Sequence, residues 1–268
     1  MTGLLGIIGY EAGSRSGPVF SLKLFSVFAL IFLAYASANI INDIRDFHTD
    51  SIQHPGRPLP SGAISKFAAW VAFAGAVGGA SVLASFFGWR TVLAISCIVA
   101  IGVLYSTWLK GTVLLGNAIV ACTAALALPI GAIARGAPSA ETFLAGGLIA
   151  LFMFSFEFLK TIRDRKGDEA AGYRTVAVVY GERASIFTLR VCVSSLAAVS
   201  LLLISFQTAW LWTLVLLACA VLPWSIVMYR LPLSPTGKEI VFTLRGMAIA
   251  WIPGMVTIGV WLLVARGA

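Results

Sequence analysis

The segment Asn42-Asp43-Ile44-Arg45-Asp46-Phe47-His48-Thr49-Asp50 directly follows an apolar run, 20–42, that is long enough to cross a bilayer. A second acidic segment, Asp164-Arg165-Lys166-Gly167-Asp168, follows another such run, 141–163. Together the two segments hold all five aspartates of the chain. A carboxylate at the end of a membrane helix is costly without a partner, so both segments are candidates for a functional site.

The composition is that of a polytopic membrane protein. Of the 268 residues, 59% are hydrophobic and only 11% are charged, against about 45–50% and about 25% in soluble domains. Eight apolar runs are long enough to span a bilayer as helices, and the alternating pattern of a membrane barrel is missing. These runs cover 20–42, 66–87, 91–109, 113–134, 141–163, 184–206, 209–229 and 242–265.

The sequence therefore predicts an all-α transmembrane bundle that forms a single domain over residues 1–268. Residues 4–10 are apolar but too few for a span, which indicates a short or truncated N-terminal helix. The four cysteines each stand alone in an apolar run, and no CxxC pair exists. Buried packing residues are therefore a better interpretation of them than a disulfide framework or a metal site.

Two polar connections are long, 44–65, which begins within the first acidic segment, and 164–183, which begins with the second. We expect short cap helices in both. Most Lys and Arg residues fall on the side of the membrane that these loops share, and the positive-inside rule makes that side cytoplasmic. The basic residues are spread over several loops rather than gathered in one stripe, so the net charge of +8 does not indicate nucleic acid as a partner. The sequence thus predicts an integral protein of the inner or plasma membrane whose active site faces the cytoplasm.

A weak internal repeat relates the two acidic segments and divides the chain into halves of about 1–112 and 113–268. On a helix, each of the two sets of polar residues falls within an arc of about 100°. Since polar stripes cannot face lipid cheaply, we expect them to face each other or a shared cavity. Asn39, Asn42, Asp43, Asp46 and Asp50 correspond, 118 residues later, to Glu157, Lys160, Thr161, Asp164 and Asp168.

Oxygen ligands without sulfur favour Mg²⁺, and protein-bound Mg²⁺ usually also binds substrate phosphates. The sequence therefore predicts Mg²⁺ as cofactor and a phosphorylated substrate. The five aspartates are the candidate catalytic residues. The candidate metal ligands are Asn42, Asp43, Asp46, Asp50, Asp164 and Asp168. The alternative is that these acids are loop carboxylates paired with nearby Arg and Lys residues.

Three basic residues are candidate phosphate ligands. Arg57 lies in a rigid, proline-rich loop and could bind a diphosphate with two hydrogen bonds, or could instead pair with Asp50. Lys110 lies at a predicted helix end and could equally serve membrane orientation. Lys160 lies on the second acidic stripe, where it contacts either phosphate or Glu157.

The two long motifs resemble the UbiA superfamily of intramembrane prenyltransferases. The first is NDxxDxxxD at 42–50, followed by HPxRPLPSGxIS at 54–65; the second covers 160–168 and continues through 170–177 and 180–182. Tyr105-Ser106, with Lys110, Gly116 and Asn117, resembles the middle region of the family. The residues of both motifs most resemble those of the branch that includes archaeal digeranylgeranylglyceryl phosphate synthase.

The resemblance implies that a polyprenyl group is transferred from its diphosphate to a membrane-associated acceptor, either a lipid precursor or an aromatic quinone precursor. An allylic cation would need a dry, partly aromatic cavity. Phe152, Phe154, Phe156 and Tyr105 are near enough in sequence to the polar stripes to line it, and ordinary helix packing is the alternative, and favoured, role for each of them. Substrate contacts are expected from Asn39, Asn42, Arg57, Tyr105, Lys110, Asn117, Glu157 and Lys160.

Two alternatives to this transferase remain. The first is a cyclase of the same superfamily that ionises a prenyl diphosphate and closes it without an acceptor. The second is a cation-binding transporter, but an ion path needs polar residues in the middle of the bilayer. The middle of each predicted span is almost wholly apolar, which argues against a transporter.

Overall fold

The computed structural model describes residues 2–12, 21–204 and 210–264. Over these ranges the chain is built from helices joined by turns and loops. The helices of the first half are α1 Thr2–Ala12, α2 Leu22–Arg45, α3 Phe47–Gln53, α4 Lys66–Ser85, α5 Trp89–Leu104, a π-helical turn Tyr105–Leu109 and α6 Leu115–Arg135. The others are α7 Ala140–Arg163, α8 Arg165–Ala170, α9 Val176–Val179, α10 Gly181–Ile204, α11 Trp210–Leu216, a second π-helical turn Leu217–Val221, α12 Leu222–Tyr229 and α13 Gly237–Val264.

Seven helices in the described part of the chain are long and apolar enough to cross a membrane. They correspond to seven of the eight predicted runs, and the all-α prediction is confirmed over the described ranges. The remaining run, 209–229, folds as α11 and α12 with the π-helical turn between them, and its apolar helix Leu214–Tyr229 is shorter than the other seven. The predicted count of eight spans is therefore not confirmed. Positions 20, 205–206, 209 and 265 of the predicted runs lie outside the described residues.

The two long loops contain the expected short helices. The first carries α3, and the second carries α8 and α9. Serine hydroxyl groups cap the N-termini of two long helices, α2 and α4. The hydroxyl oxygen of Ser21 accepts a hydrogen bond from the N–H of Leu24 at 3.3 Å, and that of Ser65 accepts one from the N–H of Ala68 at 3.1 Å. Such N-caps satisfy amide groups that a helix start leaves without partners. Ser65 is the last residue of the first long motif, so the motif ends where α4 begins.

The residues group into two compact units. Unit 1 comprises Met1–Ile119 and Leu126–Ser139, and unit 2 comprises Val120–Ala125 and Ala140–Ala268. In unit 1, α2 packs against α1, α4 and α5. In unit 2, α7 packs against α10 and α13, and α12 packs against the same two helices. Each unit thus places one long helix with an acidic end, α2 or α7, among its neighbours.

An aromatic cluster forms part of the core of unit 2. Phe152 and Trp224 are fully buried, with ring centroids 5.0 Å apart and nearly perpendicular planes. Trp251 lies 5.4 Å from Phe152 and 6.4 Å from Trp224. Edge-to-face pairs of this kind add to the free energy gained from burial alone. Phe152 thus has, within this unit, the packing role that the sequence favours for it over a cavity position.

Helices α1 and α6 approach closely at glycines. A methyl group on Gly131 would overlap the carbonyl oxygen of Gly6 and lie 2.8 Å from the backbone nitrogen of Tyr10. We therefore expect Gly131→Ala to lower the free energy of unfolding by about 1–3 kcal/mol, the usual cost of overpacking. Thermal unfolding of the protein in detergent measures this change.

Gly147→Ala in α7 is the matched control, because a methyl group there would have open space around it. Alanine is the better helix former, so this variant should be as stable as the parent protein or slightly more so. Equal melting temperatures for the two variants would contradict the close approach of α1 and α6.

Candidate active site

The acidic segment of unit 1 keeps helical geometry beyond the end of α2. The N–H of Asp46 donates to the carbonyl of Asn42, and the N–H of Asp50 donates to the carbonyl of Asp46, both at 2.8 Å. Because these four-residue steps continue from α2 into α3, the side chains of Asn42, Asp46 and Asp50 stay on one face.

The acidic segment of unit 2 repeats this arrangement. The N–H of Asp164 donates to the carbonyl of Lys160 at 2.9 Å, and the N–H of Asp168 donates to the carbonyl of Asp164 at 3.0 Å. The end of α7 therefore carries Lys160, Asp164 and Asp168 on one face into α8. The two segments share a local fold as well as a spacing.

The first polar cluster of unit 1 centres on Asp46, and we call it the Asp46 cluster. It consists of Asn42, Asp46 and Lys110. The Asp46 side chain is buried, and its Oδ2 accepts hydrogen bonds from Nδ2 of Asn42 at 2.8 Å and from Nζ of Lys110. Within the described part of the chain, the buried Oδ1 of Asn42 has no hydrogen-bond partner. An unsatisfied buried oxygen beside a carboxylate is a place where a cation would be favourable.

The second polar cluster of unit 1, the Asp50 cluster, consists of Asp43, Asp50 and Arg57. Nη1 of Arg57 lies 2.6 Å from Oδ2 of the buried Asp50 and 3.9 Å from Oδ1 of Asp43. Asp43 is about half exposed, with 53% of its side-chain surface accessible. The pairing of Arg57 with Asp50, which the sequence leaves as an alternative to phosphate binding, is therefore present.

The proline-rich loop holds Arg57 in position through its own backbone. The N–H of Arg57 donates to His54 at 3.0 Å, and the N–H of Ser61 donates to the carbonyl of Arg57 at 2.9 Å. Gly62 has a φ of +77°, a conformation that residues with a Cβ rarely adopt, and it turns the chain toward α4. Short hydrogen-bonded turns explain why an arginine seven residues after Asp50 reaches back to it.

Lys110 approaches Asp46 from a different helix. It follows the π-helical turn, where its N–H donates to the carbonyl of Tyr105 at 3.0 Å. The next turn is fixed by Thr112, whose hydroxyl donates to the carbonyl of Leu109 at 2.6 Å and accepts from the N–H of Gly116 at 3.1 Å. Sequence patterns did not indicate this contact, because no periodicity predicts a π-helical turn.

The remaining candidate residues of unit 1 lie outside both clusters. Asn117 is buried near the start of α6, Tyr105 is partly buried, and Asn39 is exposed on α2. These three stay predictions as substrate-binding residues.

In unit 2 the acids pair with basic neighbours. Nζ of Lys160 lies 3.0 Å and 2.8 Å from the two carboxylate oxygens of Glu157, so this lysine is paired on its own helix. Arg163 donates to both oxygens of Asp164, at 2.6 Å and 2.7 Å. Arg163 is not among the site residues predicted from the sequence, although its position next to Asp164 was a usable signal.

Basic residues lie beside the acids of both segments. In unit 1, Arg57 and Lys110 pair with Asp50 and Asp46, and Asp43 lies 3.9 Å from Arg57. In unit 2, Lys160 pairs with Glu157, and Arg163 pairs with Asp164.

The donor set suits Mg²⁺ that is shared with a substrate. In the described ranges, no three His, Cys, Asp or Glu side chains converge on one possible metal position. Mg²⁺ is commonly held by one or two carboxylates together with substrate phosphates and water, so a complete protein cage is not required. The oxygen donors of the Asp46 cluster, including the unsatisfied Oδ1 of Asn42, fit such a site.

Arg57 gives a test of this arrangement. We expect Arg57→Ala to weaken prenyl diphosphate binding roughly 10–150-fold, the loss of about 1.5–3 kcal/mol for a charged hydrogen bond. Binding of a thio-analogue of the prenyl diphosphate with Mg²⁺, followed by calorimetry, measures it. Arg45→Ala, which removes an exposed arginine from the same segment, is the control and should leave the affinity unchanged. Equal affinities for both variants would assign Arg57 to folding of the loop alone.

Comparisons with known proteins agree with these motifs. Residues 2–247 match the model of the UbiA prenyltransferase family. A digeranylgeranylglyceryl phosphate synthase from Thermococcus sibiricus is 32% identical over 211 residues, which cover 74% of this chain and 72% of that protein. A protein of the same name from Halobacterium salinarum is 40% identical over 176 residues, covering 63% of this chain and 60% of that protein.

Solved structures share the fold. A structure described in connection with digeranylgeranylglyceryl phosphate synthase in membranes superposes with a TM-score of 0.77 at 24% identity, covering 97% of this chain and 92% of that one. A UbiA homolog from Archaeoglobus fulgidus bound to DMAPP and Mg²⁺ superposes with a TM-score of 0.72 at 19% identity, covering 96% and 94%. At these identities the likeness establishes the fold alone.

Proposed function

The chain belongs to the UbiA prenyltransferase family and is an integral membrane prenyltransferase, and we propose that it transfers a polyprenyl group from a prenyl diphosphate to a membrane-associated acceptor in the presence of Mg²⁺. The observation that carries the proposal is the pair of acidic helix ends, each of which continues a long apolar helix with its polar side chains on one face. Such ends suit a ligand with a charged head, a bound cation and a long apolar chain.

The proposed donor site uses both acidic segments. Mg²⁺ would be held by Asn42, Asp43, Asp46, Asp50, Asp164 and Asp168, and it would neutralise the charge of the leaving diphosphate. Relatives support this choice, because UbiA homologs of known structure bind DMAPP or GPP together with Mg²⁺.

The basic residues of the clusters take a second role in this proposal. Arg57 and Lys110 pair with Asp50 and Asp46 in the structure, and in this proposal they would also contact the diphosphate oxygens. Lys160, which pairs with Glu157 in the structure, would contact the diphosphate in the same way. Positive charge placed where the leaving group becomes more negative favours ionisation of the prenyl carbon–oxygen bond. The surrounding apolar helices exclude water, so the allylic cation reacts with the acceptor rather than with solvent.

The acceptor is a lipid precursor in this proposal. Relatives with 32% and 40% identity are named digeranylgeranylglyceryl phosphate synthase, which indicates a prenylated glyceryl phosphate as product in those proteins. The first long motif and the second acidic motif resemble the sequences of that branch, which supports a lipid precursor as the acceptor of this chain as well. The active site is proposed to face the cytoplasm, as the distribution of basic residues indicates.

Incubation of the purified protein with labelled prenyl diphosphates and Mg²⁺ tests the proposal, in parallel with and without candidate acceptors. A prenylated acceptor is the expected product. A cyclic hydrocarbon or alcohol formed without any acceptor would indicate a cyclase instead. Mg²⁺ binding without any consumption of prenyl diphosphate would indicate a cation-binding protein and overturn the proposal.

A further inference from the structure

A polar patch lies on the surface of unit 2, where α10 packs against the end of α12. It consists of Arg190, Ser194 and Tyr229, and we call it the Arg190 patch. Arg190 and Ser194 stand one turn apart on α10, and Tyr229 is the last residue of α12. Ser194 and Tyr229 are exposed, and Arg190 is partly buried. None of the three belongs to the proposed donor site.

The patch lies at a boundary between polar and apolar parts of this surface. On one side, α12 ends beside Arg190, and α10 begins further out with the charged residues Glu182 and Arg183. On the other side, the exposed side chains of both helices are apolar. They include Val191 on α10 and Leu222 and Ile226 on α12. In a membrane protein, lipid head groups meet the surface at such a boundary.

Arg190 uses only part of its guanidinium group within the protein. Its Nη2 donates a hydrogen bond at 2.9 Å to the carbonyl oxygen of Leu231, just beyond the end of α12. The guanidinium carbon lies 5.6 Å from the centroid of the Tyr229 ring, which allows a cation–π contact. A guanidinium group has five N–H donors. In the described part of the chain its buried Nε has no hydrogen-bond partner, so the contact with the end of α12 leaves donors unused.

The patch also carries positive charge that no carboxylate balances. Arg230 lies between Tyr229 and Leu231 in the chain and is exposed. None of the ion pairs among the described residues includes Arg190 or Arg230. Guanidinium groups bind phosphate oxygens well, so a phosphate-bearing ligand suits this surface. A head group with net negative charge fits better than a zwitterionic one, whose ammonium group would add positive charge beside Arg230.

The hydroxyl groups of the patch can donate one more hydrogen bond. The hydroxyl oxygens of Ser194 and Tyr229 are 2.5 Å apart, so one O–H is used between them. Each hydroxyl group has one hydrogen, so the second O–H of the pair can donate to an oxygen of a ligand. Ser194 lies about 6 Å further along α10 than Arg190, on the side of the apolar residues. The order from the polar side is thus guanidinium, hydroxyl pair and apolar side chains.

We propose that the Arg190 patch binds the head group of an anionic phospholipid of the surrounding bilayer. The phosphate oxygens accept hydrogen bonds from the guanidinium group of Arg190. The hydroxyl pair donates to an oxygen of the glycerol linkage, and the lipid chains lie over the exposed apolar side chains of α10 and α12. The ligand is a bulk lipid rather than a substrate, so the inference does not depend on the proposed function.

Arg190→Gln tests the proposal, because it removes the charge of the patch. The probe is phosphatidylglycerol, added to the purified protein in an uncharged detergent, with phosphatidylcholine in parallel. Native mass spectrometry measures the bound lipid at each concentration, and the parent protein should bind phosphatidylglycerol more tightly. Arg190→Gln should weaken this binding about tenfold or more, as expected for the loss of a charged hydrogen bond. Tyr229→Phe, which keeps the ring and removes only the hydroxyl group, should weaken it about threefold and decides the matter if Arg190→Gln does not fold.

Arg183→Gln is the matched control, since it removes an exposed charge from the same helix outside the patch. It should leave the affinity for phosphatidylglycerol within about twofold of the parent. Equal affinities for the parent, Arg190→Gln and Tyr229→Phe would overturn the lipid site and leave Arg190 with the end of α12 as its only role. Displacement of the lipid by an equal concentration of inorganic phosphate would overturn a lipid as the occupant. No prenyl transfer is measured, so either result leaves the proposed function intact.

Discussion

Asp46→Asn is expected to reduce kcat/KM about 10²–10³-fold or more, the loss typical of removing one preorganised electrostatic group from an active site. Asp46 is buried, and it accepts hydrogen bonds from both Asn42 and Lys110. The substitution keeps the shape of the side chain and removes its charge. Steady-state prenyl transfer with saturating acceptor measures the effect. Asp164→Asn should behave similarly, since Asp164 holds the corresponding place in unit 2.

Two further variants separate catalysis from folding. Asp46→Asn leaves the ammonium group of Lys110, which is 25% exposed, without its carboxylate, so the melting temperature should fall. Adding Lys110→Met should restore the melting temperature and should not restore turnover. Glu169→Gln removes an exposed acid outside the candidate set and should change neither quantity. Near-normal rates for Asp46→Asn and Asp164→Asn would exclude these residues from the reaction.

Removal of divalent cations is expected to abolish turnover, and Mg²⁺ alone should restore it. The physical reason is that carboxylate and carboxamide oxygens are ligands for hard cations. Dialysis against EDTA, followed by titration with Mg²⁺ and assay of labelled product, measures this dependence. The donor should bind weakly without the metal, because the diphosphate and the aspartate carboxylates would then be like charges at close range.

A soft cation gives the control for this result. Zn²⁺, which prefers nitrogen and sulfur ligands, should support turnover less well than Mg²⁺ at equal free concentration. Undiminished turnover after complete chelation would show that the reaction requires no divalent cation.

The helical architecture could be predicted from the sequence because apolar runs of about 20 residues are a strong and local signal. The two π-helical turns could not, since Tyr105–Leu109 and Leu217–Val221 have no distinguishing pattern. The second of these turns lies inside the apolar helix Leu214–Tyr229, which is shorter than the seven candidate spans of the described residues. Local signals thus locate the helices but not the irregular turns inside them.

The acidic stripes could also be predicted, because helical spacing places Asn42, Asp46 and Asp50 on one face and the hydrogen bonds bear this out. The basic side chains that pair with these acids were harder to predict. Arg57 was predicted as a phosphate ligand with Asp50 as its alternative partner, and in the structure it binds Asp50. The contact between Lys110 and Asp46 joins residues distant in sequence, so it depends on packing that no spacing rule describes.

We propose that the acidic ends of α2 and α7 bind one diphosphate. An experimental structure of the protein with Mg²⁺ and a non-reactive prenyl thiodiphosphate tests it most directly, through the distance between the carboxylates of Asp46 and Asp164. With metal–oxygen bonds of about 2.1 Å on each side of the phosphate group, that distance should not exceed about 10–12 Å. Carboxylates about 20 Å apart, or a ligand bound to one acidic segment alone, would contradict the shared site.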